Sequence, residues 1–366
     1  MNFLFVFHSK KNNIYNYTKS QLSLALDSLG FKNYQTNQIW GWIYAKGIND
    51  FDKITNVSKT NIGILKENFM FENLNISNLK ESFDGTLKFL VKFIDNKEVE
   101  SVYIPETTRS TLCISSQIGC TLSCKFCHTG TQTLVRNLEP NEIVAQILVT
   151  KNLINDWDQK NRKLTNLVFM GMGEPFFNYD NLAKALEVIC DPDGLNFAKK
   201  RITISTSGLV PEILKCSKEL KTNLAISLHA TNDKLRNEIM GINKKYPLHD
   251  LFSACQIYNR ENPDQKITFE YVMLSGVNDS TDNAFELIKL IKKYNLNCKV
   301  NLIPFNPWDG CNFKNSSINN LKQFQDILKK NNLIATIRKT RGDDVMGACG
   351  QLKSSSERER KKTKQN

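Results

Sequence analysis

Seven short apolar runs alternate with six longer amphipathic stretches between Thr111 and Arg338. The runs cover 111–116, 164–170, 201–206, 223–228, 267–273, 299–303 and 334–338, and have strand length. The stretches cover 140–153, 180–189, 211–219, 248–259, 282–293 and 318–330, and have helical periodicity. Such alternation admits few architectures. The strands must lie parallel, each joined to the next by a right-handed helical crossover. Six or seven units predict an α/β fold, a partial or full TIM-type (β/α) barrel. An open doubly wound sheet is the alternative. No G-x-G-x-x-G follows a strand, which weakens its dinucleotide-binding form.

The chain ahead of the alternation is different. Residues 1–85 read as a small helical domain plus linker. Thr18-Lys-Ser-Gln21 fits a capping box, and an apolar pattern then runs to Leu29 and stops at Gly30. A second helix over 34–45 carries Trp40 and Trp42, both expected in a core, and a third covers 58–69. The lysines of this module are candidate RNA contacts. Residues 86–94 and 98–104 alternate as strands around Asp95-Asn96, a hairpin leading into a main domain over 86–352. The end, 353–366, has six basic and two acidic residues and is expected to be disordered and solvated.

Forty-nine basic residues against 37 acidic give a formal charge of +12. That excess favours a polyanionic partner, usually nucleic acid. No apolar run reaches the roughly 18 residues that span a bilayer, and Phe3-Leu-Phe-Val-Phe7 is too short for a signal-peptide core. Ten cysteines without a secretion signal argue against a disulfide scaffold and for a cytoplasmic protein. Cys190, Cys216, Cys255 and Cys298 sit in apolar contexts and read as packing residues.

Chemistry concentrates in the stretch from Gly119 to His128. Cys120, Cys124 and Cys127 stand there as C-x3-C-x2-C. The odd count matters, because a closed zinc site and a common ferredoxin cluster each take four ligands. Three thiolates can hold three irons of a [4Fe–4S] cluster and leave the fourth open to a small molecule. From the triplet alone, zinc completed by His128 or a distant ligand, and unliganded packing cysteines, stay open. In a parallel barrel the active site gathers at the strands' carboxyl ends. Those ends read Gly171-Met-Gly-Glu-Pro175, Ser205-Thr-Ser-Gly208, Ser227-Leu-His-Ala230 and Pro304-Phe-Asn-Pro307. They supply glycines for close backbone approach and polar groups that can fix carboxylate, ribose or adenine edges. Two more cysteines stand apart. Cys113 lies on the strand feeding the cysteine loop. Cys349 lies in a glycine-rich polar loop, where packing does not explain it.

These residues resemble the RlmN/Cfr family of radical S-adenosylmethionine (SAM) RNA methyltransferases over about residues 15–352. The resemblance includes Val99-Glu-Ser-Val-Tyr-Ile-Pro105, Cys113-Ile-Ser-Ser-Gln-Ile-Gly-Cys120, Gly171-Met-Gly-Glu-Pro175, Ser227-Leu-His-Ala-Thr231, Gly276-Val-Asn-Asp-Ser280 and Ala348-Cys-Gly-Gln-Leu352. It implies that Cys120, Cys124 and Cys127 hold one [4Fe–4S] cluster. Gly173, Glu174, Ser205, Ser227, Leu228, His229 and Asn306 would line the SAM site. Cys349 would carry a methyl group, Cys113 would resolve the adduct through a disulfide, and Glu100 would accept a proton. The implied reaction methylates C2 of adenine in 23S rRNA and in tRNA, using two SAM molecules and an electron donor such as flavodoxin or ferredoxin. A monomer is expected. Methylation at adenine C8 shares these cysteines, so the motifs do not separate the two; the overall resemblance favours C2. A non-catalytic, zinc-stabilised RNA-binding protein is the other alternative. It leaves Cys113, Cys349 and the polar strand ends without a role.

Overall fold

Helix caps set the N-terminal module. Thr18 caps α1 (Lys19–Asp27): its hydroxyl accepts from the Gln21 N–H, and the Gln21 side chain accepts from the Thr18 N–H. Helices α2 (Asn33–Trp40) and α3 (Lys59–Asn68, capped by Ser58) follow. Trp40 is fully buried, and its indole N–H donates to Asp191 at 3.1 Å, which ties the module to the main domain. Trp42 departs from the expected core position. It is half-buried, with the Lys46 ammonium 3.4 Å from its ring centroid. An indole face can be covered by a cation as well as by apolar side chains. The computed structural model describes residues 11–356. The readings of 3–7 and of 357–366 fall outside the described residues.

One ten-stranded sheet organises the rest. In chain order its strands are β1 (Asn75–Glu81), β2 (Leu87–Lys92), β3 (Glu98–Pro105), β4 (Ser110–Cys113), β5 (Asn166–Phe169), β6 (Ile202–Thr206), β7 (Asn223–Ser227), β8 (Ile267–Met273), β9 (Cys298–Pro304) and β10 (Ile334–Ile337). Strands β4 through β10 run parallel, each beside the next in sequence. Strands β1 to β4 are antiparallel. Among the described residues the end strands β1 and β10 do not pair, so the sheet is an open arc and the barrel is partial. Helices α4 (Pro140–Leu153), α5 (Tyr179–Cys190), α6 (Val210–Glu219), α7 (Asp233–Ile239), α8 (Leu248–Glu261), α9 (Thr281–Lys293) and α10 (Ile318–Lys330) lie between the parallel strands in sequence. Strand β8 is buried at every position, as a central parallel strand should be.

Two segments differ from expectation. Strand β1 lies in what reads as linker. Its residues are almost all exposed, so it has no buried face to produce alternation, and backbone pairing to β2 alone makes it a strand. Residues 353–356 are held in part, with Lys353 and Ser355 exposed. The Lys353 N–H donates to Glu100, and Ser354 is buried against Gln132. No helix among the described residues is long and apolar enough to cross a membrane.

Candidate active site

The carboxyl ends of the parallel strands open into one cavity. Its empty space, counting what opens to solvent, is about 970 Å³. Cys120, Cys124 and Cys127 line it, together with Gly173, Glu174, Ser205, Ser227, His229, Asn306 and Cys349. Side chains from strands far apart in sequence therefore meet at one place. Leu228 is the exception. It is fully buried in the core and absent from the wall, and its N–H donates to the Glu270 carbonyl.

The turn after β5 needs its glycines. A Cβ on Gly173 would stand 2.5 Å from the Gln117 Cβ, and its φ of +95° is one that side-chain-bearing residues rarely adopt. A Cβ on Gly171 would stand 2.6 Å from the Ser115 Oγ. Close approach lets Gln117 Oε1 accept from the Glu174 N–H at 2.9 Å. The Glu174 carboxylate then accepts from the Ser207 N–H at 2.7 Å and the Phe176 N–H at 3.1 Å. Burial pushes this carboxyl up to about 7.

His229 takes a left-handed backbone, φ +58°. Buried Asn278 holds that turn by donating to the His229 carbonyl at 2.8 Å and the Val272 carbonyl at 2.7 Å. The Val272 N–H donates to His229 Nδ1 at 3.0 Å, so the ring proton sits on Nε2. Burial, then Arg236, lowers this imidazole to about 3, and it stays neutral. The ring also meets Phe126 edge-on at 4.6 Å.

The three thiols of the loop suit a soft metal cluster. Burial is the main force raising each of them, and Cys127 raises both Cys120 and Cys124 by mutual repulsion. Three half-buried thiols, repelling one another once ionised, are costly as thiolates unless cationic iron neutralises them. Among the described residues no three His, Cys, Asp or Glu side chains close on a single-ion site. Three ligands on three separate irons need no such common centre. His128, the candidate fourth zinc ligand, instead stacks on Trp308 at 4.8 Å and pairs its Nδ1 with the Gln351 carbonyl.

A smaller cavity lies alongside, walled by Cys113 and Cys349. Met170, Ile303, Asn306, Arg338 and Cys349 belong to both walls. Cys113 is buried, and burial first, then Cys349, pushes its thiol up to about 12. Glu100 is in neither wall. It sits one layer back on β3, with its carboxylate held by Lys88 at 2.7 Å and by the Lys353 N–H at 2.8 Å.

Sequence reasoning missed three wall or support residues. Arg338 faces both cavities, and Cys349 above all raises its guanidinium above the usual value. Glu270 lines the large cavity from the middle of apolar β8 and accepts from Asn301 at 2.8 Å. A carboxylate inside an otherwise apolar strand was a usable signal. Arg236 is buried behind the wall and gave none.

Fold and cavity together define a radical SAM enzyme, and residues 114–288 match the model of the Radical SAM superfamily. Residues 12–70 match the ribosomal RNA large subunit methyltransferase N-terminal domain. A crystal structure of a radical SAM methyltransferase from Sphaerobacter thermophilus superposes with a TM-score of 0.87 at 38% identity, covering 93% of this chain and 99% of that one. The dual-specificity RNA methyltransferase RlmN of Paramagnetospirillum magneticum is 46% identical over 97% of this chain and 78% of its own length. That of Ruegeria pomeroyi is 48% identical over 90% and 86%. The chain belongs to the RlmN family of radical SAM RNA methyltransferases.

Proposed function

We propose that this enzyme methylates C2 of adenine in 23S rRNA, at the peptidyl transferase centre, and in tRNA, next to the anticodon. Cys349 carries the methyl group and Cys113 resolves the adduct. One observation carries the reading: Cys349 stands in the shared wall of two cavities, one lined by the cysteine triplet and the other by Cys113. C2 of adenine is an sp2 carbon without a nucleophilic lone pair, so it cannot take a methyl cation equivalent from SAM directly. A thiolate can. Cys120, Cys124 and Cys127 would hold a [4Fe–4S] cluster, which would supply the electron for reductive cleavage of a second SAM; Cys349 presents the methyl group from which a hydrogen is then taken.

The remaining residues bind and orient. Glu174 offers a carboxylate to an ammonium or to ribose hydroxyls. Neutral His229 donates from Nε2. Ser205, Ser227 and Asn306 offer hydrogen bonds around the cavity. Cys113 forms a disulfide with Cys349 and releases the methylated base; cellular thiols then reduce that disulfide. Glu100 takes the base proton. The +12 charge and the N-terminal module hold the RNA, with the target base turned out of its stack. A flavodoxin or ferredoxin supplies electrons to a monomeric enzyme in the cytoplasm.

Replacing Cys113 by alanine tests the resolving role. Cys113→Ala is expected to leave a covalent RNA–protein adduct that migrates with the protein on denaturing gels. Release of free methylated RNA at the wild-type rate refutes it.

A further inference from the structure

The segment that carries Cys349 is fastened on both sides of the cysteine by one buried pair of side chains. Lys88 on β2 and Glu100 on β3 are diagonal cross-strand neighbours, since Lys88 pairs with Val102 and Leu90 with Glu100. The Lys88 ammonium donates to Glu100 Oε1 at 2.7 Å and to the Met346 carbonyl at 3.0 Å. Glu100 Oε2 accepts from the Lys353 N–H at 2.8 Å. Met346 stands before Cys349 in the chain and Lys353 after it. The two side chains are only 12% and 7% exposed, so water competes poorly for these bonds. Strands β2 and β3 belong to the sheet, whereas 346–353 has no regular structure. Between the two fastenings, Asn306 Nδ2 donates to the Cys349 carbonyl at 3.1 Å and the Gly350 carbonyl accepts from the His128 N–H at 2.7 Å.

We propose that Lys88 is a positioning residue for the methyl-carrying cysteine: by bridging Glu100 and the Met346 carbonyl, it holds segment 346–353 so that Cys349 faces both cavities. The proposal rests on the methyl-carrier reading of Cys349 given above.

The test is hydrogen–deuterium exchange of the anaerobically prepared holoenzyme without RNA, followed on peptides covering 342–353. Lys88→Met loses a buried charged donor to two acceptors, and exchange there rises about tenfold or more. Lys88→Arg keeps a charged donor and restores most of the protection. Glu100→Ala removes both acceptors and gives at least the same rise, which keeps the proposal testable if Lys88→Met folds poorly. In parallel, mass spectrometry of the Cys349 peptide after incubation with SAM reads methyl transfer. Lys88→Met lowers that methylation more than it lowers equilibrium SAM binding. Exchange that stays within about twofold of wild type in both folded variants overturns the proposal. If the wild-type protein never shows methylated Cys349, the methyl-carrier reading falls instead, and the exchange data still decide whether Lys88 holds the segment.

Discussion

Arg236 is the residue whose loss should disturb the SAM cavity most without touching anything inside it. It lies on α7, fully buried. Its Nε donates to the Leu228 carbonyl at 3.1 Å and its Nη1 to Asn243 at 2.8 Å. Its Nη2 donates to the Ser207 carbonyl at 2.7 Å and the Ser227 carbonyl at 2.9 Å. One guanidinium thus holds the ends of β6 and β7 and the turns that follow them, where Ser205, Ser227 and His229 lie. Burial lowers it to about 10, so it is still a cation at neutral pH. Arg236→Met removes four charge-assisted bonds, each worth about 1.5–3 kcal/mol net. Losing the buried charge returns several kcal/mol of desolvation. The balance is a loss of about 3–5 kcal/mol, a large share of the roughly 5–15 kcal/mol that typically separates folded from unfolded. Arg236→Lys keeps the charge but not the planar fork and should lose about half as much. Denaturant titration of the anaerobic protein reads the stability, and equilibrium dialysis with SAM reads the cavity. An Arg236→Met protein with an unchanged midpoint and SAM affinity within about twofold of wild type would refute the reasoning.

Glu174 gives a pH dependence. Its carboxyl is raised to about 7, and the ionised form is the better partner for the ammonium of SAM. Affinity for SAM therefore falls as pH drops through 7, about tenfold between pH 8 and pH 6 as the ionised fraction falls. A flat binding profile over that range removes Glu174 from the SAM contact. Gly173→Ala forces a Cβ into Gln117 in a left-handed backbone, at a cost of about 1–3 kcal/mol. SAM binding should weaken while iron content stays at the wild-type level; equal SAM affinity contradicts the close-approach account.

The sheet was legible because burial writes itself into the chain. The run from Ile267 to Met273 is buried at every position, and the observed strand has the predicted bounds. Helices α4 and α10 likewise fall where their periodicity placed them. The cysteine loop and the polar strand ends were legible because each is a short local pattern. What was not legible lies in partnerships across long separations. Arg236 lies in a stretch where the sequence predicts no element, and its acceptors are set by where β6 and β7 end. Asn278 stands in a motif of the resemblance, but no local pattern indicates that it pins His229 from 49 positions away. Strand β1 has no buried face to betray it. Lys353 to Ser356 read as the start of a solvated tail, because their contacts are made largely through the backbone and small hydroxyls, which carry no hydrophobic signal. Glu100 was placed by resemblance, and no local pattern indicates that its carboxylate is closed off by Lys88.

The proposed role of Cys349 is to carry the methyl group to adenine C2. Nucleoside mass spectrometry of 23S rRNA and tRNA, after incubation with the reconstituted enzyme, SAM and a reductant, tests it directly. The wild-type protein is expected to yield 2-methyladenosine, and Cys349→Ala none, with iron content unchanged between the two. Formation of 2-methyladenosine by Cys349→Ala at the wild-type rate, or 8-methyladenosine as the wild-type product, would contradict the account.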